Sequence, residues 1–216
     1  RYRGLGDVYK RQAVQSMGNR LLPQNRYNDI YLVHKFFTWT NELIPNKFKD
    51  LTNDHPRMVI PFRDANGKIF AYQGRAFGKE QPKYITIILD QNQKKIFGLD
   101  RVDDSRNIII VEGPIDSLFL PNCIAVAQGD LRLPQYKGKS TLVFDNEPRN
   151  REIIKNIEKA IKEDYSVVIW PEDIKEKDIN DMIVGGMTNV EILNIIHNNT
   201  FSGLQAKTQL SHWKKI

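Results

Sequence analysis

Cysteine is nearly missing from this chain. The 216 residues contain one, Cys123. That excludes a disulfide framework and any cysteine-based zinc site within the chain, and it fits a reducing, cytoplasmic setting. Long apolar runs are missing as well. No stretch approaches the roughly 20 residues that cross a bilayer as a helix, and no secretory leader pattern is present, so no membrane partner is expected. Internal repeats and low-complexity segments are also absent. Acidic charge is in short supply: 26 Asp and Glu face 32 Lys and Arg, a formal net charge of +6 with a pI near 9.3. A polyanionic partner suits that balance. The remaining composition, 40% hydrophobic and 27% charged, is that of a globular protein with a core large enough for one domain or two small ones.

The chain opens on Arg1 rather than methionine and reads as a piece of a longer protein. RYRGLGDVYKRQ (1–12) resembles translated sequencing-adapter read-through and is set aside as a non-native leader. Residues 27–44, YNDIYLVHKFFTWTNELI, carry apolar and aromatic side chains at helical spacing and predict an amphipathic helix ending before Pro45. Two extended runs flank Asp64-Ala-Asn-Gly67 in 57–77, which predicts a hairpin. Between Arg57 and Arg101 there are nine Lys or Arg against four Asp or Glu. Residues 13–106 therefore read as a basic, antiparallel, β-rich subdomain.

The texture changes at Asn107. IIIVE (108–112), CIAVA (123–127), STLVFD (140–145) and SVVIW (166–170) read as buried strands. Helices are expected over 115–120, 148–164, 188–197 and 202–213, with Thr188 and Ser202 as N-caps. Strands alternating with helices predict an α/β unit, a Rossmann-like parallel sheet flanked by helices, over 107–184. A small helical tail follows over 185–216.

IVEGPID (110–116) drives a β-branched run straight into a carboxylate. A charge at the end of a buried strand is costly unless water, a cation or a partner takes it up, and the carboxyl ends of parallel strands are where open α/β sheets place ligands. Glu112 has company: Asp116 one helical turn on, Asp145 and Glu147 in FDNEP, and Asp173, Asp178 and Asp181 in WPEDIKEKDINDMI. In a parallel sheet these strand ends share one edge, so the acids converge. Close carboxylates repel, and a hard divalent cation, Mg²⁺ or Mn²⁺, relieves that repulsion. Asp173 and Asp181 read as solvated or capping charges. Glu112, Asp145 and Glu147 read as a metal site, with Asp116 and Asp178 as further candidates.

VEGPID (111–116) followed by a strand ending in DNE (145–147) resembles the Toprim domain of bacterial-type primases, type IA and type II topoisomerases and some nucleases. HPRMVIPFRDANGKIFAYQGRAF (55–77), PKY (82–84) and IFGLD (96–100) are similar to the segment that precedes Toprim in bacterial and phage DNA primases. EGPIDSLFL and KDINDMI (177–183) resemble the primases of T-even-type phages. The resemblance spans about residues 50–185. It implies that Glu112, Asp145 and Glu147 are catalytic and metal-binding, with Asp116 and Asp178 as supporting ligands. It implies that Arg57, Arg63, Arg75 and Lys83 hold template or nucleotide. The expected activity is synthesis of short RNA primers from ribonucleoside triphosphates on single-stranded DNA during replication. A replicative helicase is the expected partner, with the tail as a candidate contact, and the expected setting is the cytoplasm, that of the host if the gene is phage-borne.

Two positions depart from the pattern. The second acid of the D-x-D is Glu147, one methylene longer, and Asn180 stands where cellular primases tend to have aspartate; both bear on metal number. With Cys123 alone there is no zinc module here, so the chain reads as the polymerase portion of a longer or split primase. Two alternatives stay open. One is a Toprim nuclease or topoisomerase fragment, although Tyr72 and Tyr84 are not in the context of a nucleophile. The other is a catalytically inactive DNA-binding or helicase-binding module.

Overall fold

The computed structural model describes residues 15, 17–25, 30–127 and 129–216. The leader expected at 1–12 and the first three residues of the helix expected at 27–44 lie outside the described residues. The chain forms two compact units that divide between Lys95 and Ile96.

The first unit is built on an antiparallel sheet of order β1-β2-β3-β4, with β1 at Tyr31–Val33, β2 at Arg57–Arg63, β3 at Ile69–Ala76 and β4 at Tyr84–Ile88. The expected hairpin is β2–β3. Its turn is tied by Asp64, whose Oδ1 accepts from the Asn66 and Lys68 amides at 2.9 and 3.0 Å. Gly67 takes φ +79°, which glycine adopts without Cβ strain.

The helix expected over 27–44 is shorter than its pattern. Among the described residues of that span only Phe36–Leu43, here α1, is helical, and Tyr31–Val33 pairs with β2 instead. The aromatic and β-branched residues of 31–33 gain ladder hydrogen bonds on a sheet edge, which overrides the helical spacing. Asp54, 16 or more residues away, then starts the helix from outside. Its carboxylate accepts from Phe37 N, Thr38 N and Thr38 Oγ1 at 2.6, 2.9 and 2.7 Å. α1 lays Phe36 against Val59, Tyr72 and Ile87. The ring fits because β3 has no side chain at Gly74, where a Cβ would stand 2.3 Å from Phe36 Cε2.

The second unit holds a sheet of order β10-β9-β8-β6-β7-β5. β6 (Ile108–Val111), β7 (Cys123–Val126), β8 (Ser140–Val143) and β9 (Ser166–Val168) run parallel. β5 (Ile96–Phe97) and β10 (Thr200–Phe201) close the edges antiparallel. β6, β7 and β8 are buried at every position, which is why they read as unbroken apolar runs. The helices are α2 (Pro114–Ser117), α3 (Arg151–Lys162), α4 (Ile179–Val184), α5 (Asn189–Asn198) and α6 (Gly203–Trp213). α3 buries Ile153, Ile154, Ile157, Ala160 and Ile161 along one stripe, and Asn150 caps it by accepting from Glu152 N. Thr188 caps α5 in a full capping box with Glu191. Ser202 precedes α6 as expected but makes no side-chain cap bond. No helix among the described residues is long and apolar enough to cross a membrane.

Gly74→Ala is expected to destabilise the chain by about 1–3 kcal/mol through overpacking against Phe36. A lowered denaturant midpoint with unchanged slope in equilibrium unfolding checks this.

Candidate active site

β8 lies between β6 and β9, and all three are parallel. Their carboxyl ends therefore open at one edge of the sheet. There a cavity of about 10 Å³ is lined by Glu112, Asp116, Asp145 and Asp178, with Val111, Val143 and Trp170 among its apolar walls. That volume admits about one water or one small ion.

Each acid is placed by a local device. Glu112 leaves the end of β6, and its Oε1 accepts from the Asp145 amide at 3.3 Å, which ties the ends of β6 and β8 together. Asp116 lies on α2 and folds back over Gly113. A Cβ there would meet its Oδ2 at 2.2 Å, so the carboxylate needs glycine beneath it. Its Oδ1 accepts from Asn180 N at 2.9 Å. Asp178 caps α4, its Oδ1 accepting from Asp181 N at 2.7 Å. Glu147 stands beside the cavity, and its Oε2 accepts from Asn150 Nδ2 at 3.3 Å. Asp173 and Asp181 are exposed.

Asn146, between the two acids of DNE, is a clamp. Its amide donates to Lys177 O at 2.7 Å. Its Nδ2 donates to Ile174 O and Glu176 O at 3.0 and 3.1 Å. Its Oδ1 accepts from the Trp213 indole at 3.1 Å. One side chain thus fixes the 174–177 loop and the last turn of α6 against the acidic segment. Trp170 adds a bond from its indole to Phe144 O at 2.8 Å. Lys177 follows on that loop, its Nζ 3.6 Å from Asp145 Oδ2 and 3.4 Å from Glu147 Oε2.

The electrostatics follow from burial and crowding. Burial raises the pKa of Glu112 above its ordinary value. Burial, then Glu112, pushes Asp145 up to about 7, although Lys177 opposes this. Burial, then Asp178, pushes Asp116 up to about 7. Burial alone would lower Lys177, but Asp145 and Glu147 outweigh it and raise it. Among the described residues no three His, Cys, Asp or Glu side chains already enclose a metal position. The acids instead border an ion-sized space, with an ammonium bridging Asp145 and Glu147. An all-oxygen donor set whose ionised form is disfavoured without a cation fits a hard divalent ion.

The basic residues belong to the first unit. Arg57 differs from the expectation. It is 1% exposed, its Nη1 donates to Gly74 O, Pro82 O and Lys83 O at 3.3, 2.9 and 3.4 Å, and its guanidinium stands 5.6 Å from the Phe36 ring. The bulk of that side chain is structural. Arg75 is 5% exposed; its Nε donates to Tyr84 Oη at 3.1 Å. Exposed Lys83 places its Nζ 5.7 Å from the same ring. Arg63 stands at the opposite end of the hairpin, donating to Gly67 O at 3.0 Å. Sequence reasoning missed Asn146, Lys177 and Trp213. The one available signal was that Lys177 directly precedes Asp178 in the acidic run.

The DNA primase of Enterobacteria phage T4 is 38% identical over 202 residues, which cover 91% of this chain and 58% of that protein. Over most of its length the chain is similar to that DNA primase. It spans little more than half the length of that primase. No family model matches the chain. Among solved structures, the zinc-binding and RNA polymerase domains of the Aquifex aeolicus primase match with a TM-score of 0.65 at 19% identity, over 95% of this chain and 61% of that one. A DnaG primase catalytic domain bound to single-stranded DNA matches with a TM-score of 0.65 at 13% identity, over 96% of this chain and 85% of that one. The fold of this chain is that of a primase catalytic core, α and β mixed on two sheets.

A pH dependence follows from the raised acids. Unfolded aspartates ionise near pH 4, whereas Asp116 and Asp145 hold their protons to about 7 when folded. The stability these groups contribute is full below about pH 4 and is lost as pH rises through about 7. Without divalent cations, the melting temperature should fall from pH 5 to pH 8 by the order of 5 °C. Asp145→Asn should flatten the profile, which calorimetry can check.

Proposed function

We propose that the chain is the catalytic core of a DNA primase, joining ribonucleoside triphosphates into short RNA primers on a single-stranded DNA template during replication. The observation that carries this reading is the convergence of Glu112, Asp116, Asp145 and Asp178 at one sheet edge, in a chain 38% identical to a phage primase. Glu112, Asp145 and Glu147 are the proposed catalytic acids; together with Asp116 and Asp178 they would hold Mg²⁺ or Mn²⁺. Such an ion supplies a lowered pKa for the attacking 3′-hydroxyl and neutralises the leaving pyrophosphate.

The protein's own part is positioning and exclusion of water. Glu112 and Asp145 are held across neighbouring strands by a hydrogen bond. Asp116 and Asp178 are tied to the start of α4. No covalent intermediate is needed, because in-line nucleotidyl transfer proceeds by positioning and charge stabilisation. Arg63, Arg75 and Lys83 are the proposed contacts to template or nucleotide phosphates, and Arg57 shapes the β2–β4 framework that presents them. Tyr84, with Arg75 on its hydroxyl and Lys83 near its ring, has the composition of a stacking platform for an unpaired base. The solved relative bound to single-stranded DNA supports the template assignment.

The proposed protein partner is a replicative helicase, and the proposed setting is the cytoplasm, that of the host for a phage-borne gene. The tail helix is not spare material for such a partner. Leu210 and Trp213 are buried and Lys215 N donates to Pro148 O at 2.8 Å, so removing 203–216 would disturb basal synthesis too.

The test mixes purified chain with single-stranded DNA, ribonucleotides and Mg²⁺ or Mn²⁺, beside Glu112→Gln. Short RNA from the wild type, reduced by roughly 100-fold or more in the variant, is the expected result. Glu112-dependent loss of a labelled DNA strand, with no RNA, would replace this reading with a nuclease. DNA binding with neither activity and no metal binding would leave an inactive binding module.

A further inference from the structure

Lys177 brings a positive charge to an edge that gathers Glu112, Asp116, Asp145, Glu147 and Asp178. Its Nζ is 3.6 Å from Asp145 Oδ2 and 3.4 Å from Glu147 Oε2, a bridging position between two acids proposed to hold metal. The backbone beneath it is fixed, because Lys177 O accepts from Asn146 N at 2.7 Å and Asn146 Nδ2 grips the carbonyls of Ile174 and Glu176. The side chain is 51% exposed, so it has solvent to move into while its backbone stays. A divalent ion binds carboxylate oxygens at about 2.1 Å. An ammonium bridging the same two carboxylates would crowd and repel it.

We propose that Lys177 is a built-in counter-ion: its ammonium holds Asp145 and Glu147 together while no metal is bound, and an entering divalent cation displaces it into solvent. This rests on the reading of the edge as a metal site. Lys177 is then a positioning residue. It keeps repelling acids from splaying before the metal arrives, at the cost of competing with that metal.

The test measures Mn²⁺ binding by calorimetry or electron paramagnetic resonance for the wild type, Lys177→Met and Lys177→Arg, together with thermal melts. Acylation of Lys177 by an amine-reactive ester is quantified in the wild type by peptide mass spectrometry, with and without Mn²⁺. Lys177→Met should bind Mn²⁺ about tenfold more tightly, since one opposing charge at this range is gone. It should melt lower than the wild type without metal and gain more from added Mn²⁺. Lys177→Arg, which keeps the charge, should stay close to the wild type. Acylation of Lys177 should rise when Mn²⁺ saturates the site. If Lys177→Met binds Mn²⁺ no more tightly than the wild type, or Mn²⁺ leaves acylation of Lys177 unchanged, the counter-ion role is overturned although the metal site stands. A folded wild type that binds no Mn²⁺ overturns the metal site and the counter-ion role together.

Discussion

Like charges forced together at the ends of neighbouring strands govern this molecule. Parallel β6, β8 and β9 deliver their carboxylates to one edge, and burial pushes Asp116 and Asp145 well above ordinary aspartates. Left alone, such a cluster would splay or protonate. The surrounding structure consists of restraints on that tendency. Amides of Asp145 and Asn180 point at Glu112 and Asp116. Asp178 is engaged as a helix cap. Lys177 reaches between Asp145 and Glu147. At this edge electrostatic strain is held rather than removed, which is what the cation-binding role proposed for it requires.

Asn146 shows how those restraints are connected. It lies between the two acids of the DNE segment, and its amide, both side-chain functions and their partners join three stretches of chain far apart in sequence. A carboxylate of the same size could not donate to Ile174 O and Glu176 O. The middle residue of the motif is therefore constrained by hydrogen-bond chemistry as tightly as its neighbours are by charge.

Much of the second unit is legible in the sequence. Four apolar runs, each followed by turn chemistry, are four parallel strands, and the acids after Val111 and Val143 do converge. The strands end one or two residues short of the stretches that read as strands, β6 at Val111 and β8 at Val143, ahead of the acids that follow them. The first unit was harder to read. The helical spacing of 27–44 conceals β1, whose pairing with β2 depends on residues more than 20 positions away, and the helix that remains is started by Asp54 from outside its own sequence. In the sequence Arg57 reads as a ligand-binding charge, because motif and composition give its residue type but not its burial. Beyond the place of Lys177 next to Asp178, nothing in the sequence ties Lys177 or Trp213 to the acidic edge, for the same reason: their roles there depend on which loop the Asn146 side chain grips, and no periodicity encodes that.

The chain has three tryptophans, and two of them, Trp170 and Trp213, donate their indole N–H groups into the single stretch 144–146. Trp39 belongs to the first unit. The second unit thus carries two native chromophores wired to the acidic segment. Their emission would follow events at that edge without any attached dye, so the molecule contains its own optical read-out of what happens between β8 and the tail.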